Sequence, residues 1–150
     1  MLTANVINRL NSLIQSCRDD VEAYRLAAER VNNPELRPVF ESFANERESY
    51  ITDLTPLIEQ LGGKPDDNTT LGGTLRRGWM NLKSALAGGG EDAILAECLR
   101  AETTTMRDYS DAMGEGLPDP IYSVVRAQYQ EILAVRDRLM HLREGDAQPS

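Results

Sequence analysis

The sequence predicts an all-α protein, a four-helix bundle with a short amphipathic helix in one long connection, and three observations predict it. Apolar residues recur every three or four positions through four long runs. The breaks between the first two runs and between the last two are short and rich in Asn, Gly and Pro. The middle break, Leu61 to Glu91, is much longer and carries a helix-periodic piece of its own.

The first helix is expected from Thr3, as N-cap, to Val31. Val6, Leu10, Leu13, Cys17, Tyr24, Ala28 and Val31 form its inward stripe, with Ile7, Ile14 and Val21 as a flanking apolar edge. Asp20 lies beside the stripe, and Asp19 and Glu22 are expected outside. Asn32-Asn33-Pro34 then breaks the chain, with Asn33 placed to cap the second helix. That helix carries Leu36, Phe40, Phe43, Arg47, Tyr50, Leu54, Leu57 and Leu61 inward at alternating spacings of four and three. Pro56 removes a backbone donor within it, and a kink is expected near Thr52 to Thr55.

In the long connection, Leu71, Leu75, Trp79, Leu82 and Leu86 mark an amphipathic helix over Thr74 to Ala87, flanked by glycine pairs and a triplet. The third helix follows, with Glu91 and Asp92 set against its dipole. Its stripe is Leu95, Cys98, Glu102, Thr105, Tyr109 and Met113, and Gly114 and Gly116 end it. Leu117-Pro118-Asp119-Pro120 makes a turn with Asp119 as N-cap of the fourth helix. Ile121, Val124, Val125, Gln128, Ile132, Val135, Leu139 and Leu142 face inward there. Tyr122, Tyr129, Leu133 and Met140 form a second apolar stripe.

Short links force antiparallel hairpins. The middle link, with a helical piece of ~12 residues and ~16 extended ones, reaches at most ~60 Å, against ~35–40 Å for each long helix. It can return the third helix parallel to the second, the single long crossover of ferritin-like bundles. Residues 1–145 are read as one domain, suited to a chain of 150 residues, and residues 146–150 as a flexible tail.

The segments SCRDDVEAYRLAAERVNNPELRPVFESFANER, RRGWMNLKSAL, AILAECLRAE and VRDRLMHLRE resemble a bacterial ferritin-like four-helix-bundle family of unknown function. The most specific parts are GWMNLKSAL and the run C-R-D-D-x-E-x-Y-R-x-A-A, and the resemblance spans Asn5 to about Glu144. It implies a fold and no activity. Through the wider ferritin-like superfamily it also raises the question of a di-iron site.

Such a site needs a glutamate from each of two helices and a Glu-x-x-His from each of the others. The chain has one histidine, His141, preceded at three residues by Arg138, and by its phase His141 points outward. Charged and polar residues do interrupt the inward stripes at mid-helix: Asp20, Arg47, Glu102 and Gln128, with Glu46 and Glu131 at the margins. Two readings follow, beside a blander one in which Pro38 or Pro56 shifts the second helix enough to put Arg47 at the surface. In the first, Arg47 pairs with Glu102 and reaches Asp20, a hydrogen-bonded core network that fixes helix register and holds no cofactor. In the alternative, Asp20, Glu46, Glu102 and Glu131 form a degenerate carboxylate site for iron or manganese, in a metal-binding or oxidative-stress protein.

No catalytic residue is assigned. Gly62-Gly63-Lys64-Pro65 lacks the spacing of a phosphate loop and reads as a turn. Cys17 and Cys98 face inward as inert buried thiols, with a redox pair as the minor reading. A net charge of -8, from 24 acidic and 16 basic residues, disfavours nucleic acid and anionic membrane. The one small basic cluster is Arg76, Arg77 and Lys83. With no targeting signal and no apolar run of ~20 residues, the protein is expected in the cytoplasm. The function expected is non-catalytic, through self-association as a homodimer or higher homo-oligomer, or through a protein partner. Trp79, Tyr122, Tyr129, Leu133 and Met140 are the interface candidates, the short helix covering either the second stripe of the fourth helix or the edge of the first.

Overall fold

The computed structural model describes residues 2–67 and 77–147. Four long helices dominate: α1 (Thr3–Arg30), α2 (Leu36–Gln60), α4 (Gly90–Met113) and α5 (Asp119–Ala147). The described part of the crossover holds a 3₁₀ turn (Arg77–Trp79), one α turn, α3 (Leu82–Ser84), and a π-helical segment (Ala85–Gly89) that leads into α4. No strand occurs among the described residues. None of the described helices is long and apolar enough to cross a membrane.

The core fixes the topology. One apolar cluster joins the C-terminal half of α1, the N-terminal halves of α2 and α4, and Val135 and Leu139 of α5. The other joins the opposite halves: Val6 to Cys17, Tyr50 to Ile58, Tyr109 and Ala112, and Ile121 to Ile132. Hence α2 runs parallel to α4, and the connection between them travels the length of the bundle.

The crossover climbs along α1. At its start the amide of Gly63 donates to the Ile58 carbonyl at 3.0 Å, closing α2 with Gly62 at a φ of +82°. A Cβ on Gly63 would meet Ile7 at 2.8 Å, so only glycine allows the chain to leave α2 this close to α1. Asn11 then clamps the climbing segment: its Nδ2 donates to the Lys64 carbonyl at 3.1 Å and its Oδ1 accepts from the Asp66 amide at 2.7 Å. Higher up, Arg18 donates to the Asp66 carbonyl at 2.7 Å.

Several sequence expectations change. The short helix is broken into 3₁₀, α and π pieces, and its predicted members Leu71 and Leu75 lie outside the described residues, as do Gly72, Gly73 and Arg76. It lies in the seam of α1 and α4 and not across the second stripe of α5, since Gly78 packs on Ala101 and Trp79 reaches Asp20. In α2 the stripe ends on Ile58, fully buried, and Leu57 is only half-buried. A 3.6-residue helix drifts by ~20° per heptad from a strict 3.5 repeat, and three heptads move the inward position by one residue. The N-cap of α1 is Leu2, not Thr3, and Asp119 is already the first residue of α5. α2 continues through Pro56 to Gln60, as expected, and α5 runs to Ala147. Asp19 is buried and not outward, for a reason given below.

Candidate functional site

The site is a polar layer between the two apolar clusters. On α1, Cys17, Asp20 and Tyr24 are three and four residues apart and share one face; on α4, Cys98, Glu102, Thr105 and Tyr109 do the same. Arg47 of α2 enters between them with its side chain fully buried. Its Nη1 donates to Asp20 Oδ2 at 2.9 Å and its Nη2 to Glu102 Oε2 at 2.7 Å. The face of the guanidinium lies 5.5 Å from the centre of the Tyr50 ring.

The remaining carboxylate oxygens are also engaged. Trp79 Nε1 donates to Asp20 Oδ1 at 2.8 Å, and Thr105 Oγ1 to Asp20 Oδ2 at 3.0 Å. Tyr24 donates its hydroxyl to Glu102 Oε1 at 2.5 Å. The Tyr24 ring in turn packs edge-on against Phe43 at 5.3 Å and Trp79 at 5.1 Å. Gly78 makes this approach possible, because a Cβ there would lie 3.1 Å from the Ala101 backbone. Beside the indole a cavity of about 10 Å³, the size of one water, is lined by Ser16, Asp20, Trp79 and Thr105.

Gln128 belongs to a neighbouring, neutral layer. Its Oε1 accepts from the Tyr109 hydroxyl at 2.7 Å, and its Nε2 donates to the Tyr50 carbonyl at 3.3 Å. The same Tyr109 hydroxyl lies 3.4 Å from Cys17 Sγ. Among the residues expected at one level, then, Asp20, Arg47 and Glu102 meet directly, and Gln128 joins the adjoining tier.

Burial sets the protonation. Two carboxylates face one guanidinium in a dry interior, leaving a surplus negative charge. Burial pushes the Asp20 carboxyl up to about 6; Glu102 adds to the rise, and Arg47, Trp79 and Thr105 oppose it. Burial works against the Arg47 charge, but Glu102 and Asp20 together hold its pKa above the usual value. Burial also raises the Cys17 thiol to about 12 and raises Cys98, so both are protonated and unreactive at neutral pH.

The residues do not fit a metal centre. Asp20 and Glu102 spend every carboxylate oxygen on donors of the chain itself, and a fixed cation stands between them. Glu46 and Glu131 are held elsewhere, around the Tyr50 hydroxyl, which donates to Glu46 Oε1 at 2.5 Å. Among the described residues no group of three or more His, Cys, Asp or Glu side chains is placed to hold a metal ion. His141 is exposed, its Nδ1 2.8 Å from the Asp137 carbonyl of its own helix.

Of the interface candidates, Trp79 is corrected: it is 2% exposed and bonded inside the chain, so it offers nothing to a second copy. Tyr122, Tyr129 and Leu133 are half-buried, and Met140 is 36% exposed. Sequence reasoning did not foresee Trp79 as a donor to Asp20. It also missed Glu97, which is buried, accepts from the Asn81 amide at 3.0 Å and pairs with Arg100.

The family model described as Domain of unknown function (DUF2383) matches residues 5–115. No curated protein matches the chain. Among solved structures the chain is similar to a two-domain protein from Anabaena variabilis that contains DJ-1/ThiJ/PfpI-like and ferritin-like domains, with 17% sequence identity and a TM-score of 0.80. That match covers 100% of this chain and 42% of the other, so the chain spans less than half the length of that protein. At such identity the likeness establishes the fold, an all-α ferritin-like bundle.

Proposed function

The chain belongs to the family described as Domain of unknown function (DUF2383), and within that family we propose a non-catalytic helical bundle that acts by association, with a second copy of itself or with a partner protein. The observation that carries the reading is the outer face of α5. Tyr122, Tyr129 and Leu133 are half-buried there and Met140 is 36% exposed, an apolar stripe that the described part of the crossover leaves uncovered.

The interior supports the same reading. Its carboxylates are engaged by Arg47, Trp79, Thr105 and Tyr24, its thiols are protonated, and the one histidine, His141, lies at the surface against a carbonyl of its own helix. The reading assigns no cofactor. The net charge of -8 argues against nucleic acid as a partner. The Anabaena protein, in which a ferritin-like domain is joined to a different one, offers a parallel for a bundle that serves beside another protein unit.

Sedimentation velocity over a range of concentrations tests it, with Leu133→Glu and Met140→Glu as variants. A homodimer is expected, with the substitutions weakening it at least about tenfold, or about 1.4 kcal/mol. A wild-type chain that stays monomeric at every concentration would overturn self-association through α5. Partner binding would then have to be shown on that same face.

A further inference from the structure

Asp20 Oδ2 and Glu102 Oε2 approach one guanidinium from α1 and α4, at 2.9 and 2.7 Å, with all three side chains buried. We propose that Arg47 occupies the position a divalent cation would take and is the group that closes this core to metal, so that neutralising this one side chain turns Asp20 and Glu102 into a divalent-cation site. The inference rests on the reading of the core as metal-free.

The argument is one of charge and space. A buried +1 charge repels a second cation strongly, because the interior screens far less than water. Remove it, and two buried carboxylates are left without a counter-charge, a state that interiors do not tolerate. Either protons or a cation must neutralise them. The vacated volume is that of a guanidinium and its stem, which water can fill.

The donors define the class of ion. With no third His, Cys, Asp or Glu placed to join them, the site offers two carboxylates, the hydroxyls of Tyr24 and Thr105 that already point at those carboxylates, and water. Oxygen donors of this kind suit a hard cation that keeps part of its hydration, such as Mn²⁺ or Mg²⁺, in preference to tetrahedral zinc. Cys17 is turned to the neighbouring layer, its Sγ 3.4 Å from the Tyr109 hydroxyl.

The experiment uses the full chain as wild type, Arg47→Gln, Arg47→Ala and the double variant Arg47→Gln/Glu102→Gln. Each is equilibrated with Mn²⁺ at neutral pH, and bound metal is counted by mass spectrometry and by the loss of free Mn²⁺ resonance. Melting temperatures are recorded with and without the ion. Wild type is expected to bind less than ~0.1 equivalent and the single variants about one, with a melting temperature that rises only for them. The double variant should lose at least about tenfold in affinity. If Arg47→Ala folds only when Mn²⁺ is present, that too supports the proposal. Should neither single variant take up Mn²⁺ nor gain stability from it, protons have won the competition and the proposal fails. Stoichiometric metal in the wild type would instead overturn the metal-free reading, and the proposal with it.

Discussion

Two polar layers lie side by side in this bundle, one ionic and one neutral, and they hold the chain together in different ways. The ionic layer of Asp20, Arg47 and Glu102 draws on α1, α2, α4 and, through Trp79, the crossover. The neutral layer of Tyr109, Gln128 and Cys17 brings in α5 and ends on a backbone carbonyl of α2. Removing a group from the neutral layer leaves a polar atom that still has another partner. Removing one from the ionic layer leaves a charge. The difference teaches that a buried ion group is costly to break even where it adds little as a whole.

The largest test of that contrast is Arg47→Ala. It strands Glu102 and Asp20 and should destabilise the chain by about 3–5 kcal/mol in denaturant unfolding. Replacing Arg47 and Glu102 together with well-packed apolar residues should cost much less. A loss below ~0.5 kcal/mol for Arg47→Ala, the level of a surface change, would remove the ionic layer from the account.

Next comes the pH dependence. The folded pKa of Asp20, about 6, lies above its ordinary 3.8. Between those values the folded chain holds a proton that the unfolded chain has lost, so this group favours folding more as pH falls through the window. Relative to Asp20→Asn, wild type should gain about 2 kcal/mol on going from about pH 7 to about pH 4. An opposite slope would mean that Arg47 holds Asp20 as a firmly ionised partner and that the surplus charge sits elsewhere.

The smallest effect is expected in the neutral layer. Gln128→Leu keeps the volume and leaves Tyr109 beside Cys17, and should cost about 1 kcal/mol or less. If it matched Arg47→Ala, the distinction between the layers would collapse.

Much of this arrangement was legible in the sequence, for a definite reason. A charged residue in the middle of an apolar stripe, as at Arg47 and Glu102, is buried if the helix keeps its register, and buried charges need partners. What escaped came from contacts that periodicity cannot express. Trp79 bonds to a residue 59 positions away, across a crossover whose path no local pattern fixes. Asp19 read as an outer-face residue and Glu97 was passed over, because neither lies on its helix's apolar stripe, yet the crossover covers that flank of the α1–α4 seam. Asp19 lines the small cavity under Gly78 and Trp79, and Glu97 receives the Asn81 amide. The di-metal question turns on the same kind of contact, on where the donors of the chain point and not on which carboxylates it owns.

The edge-on packing of Trp79 and Tyr24 has an optical consequence. At 5.1 Å between ring centres, light absorbed by this tyrosine passes to the sole tryptophan by resonance transfer. The emitting indole is bonded to α1, borne by the crossover and packed near the guanidinium of α2. Its emission is expected to be blue-shifted and, excited through tyrosine, to report the meeting of separate parts of the chain as a single signal. Any event that parts the two helical hairpins can be followed by eye of a fluorimeter, with no label attached.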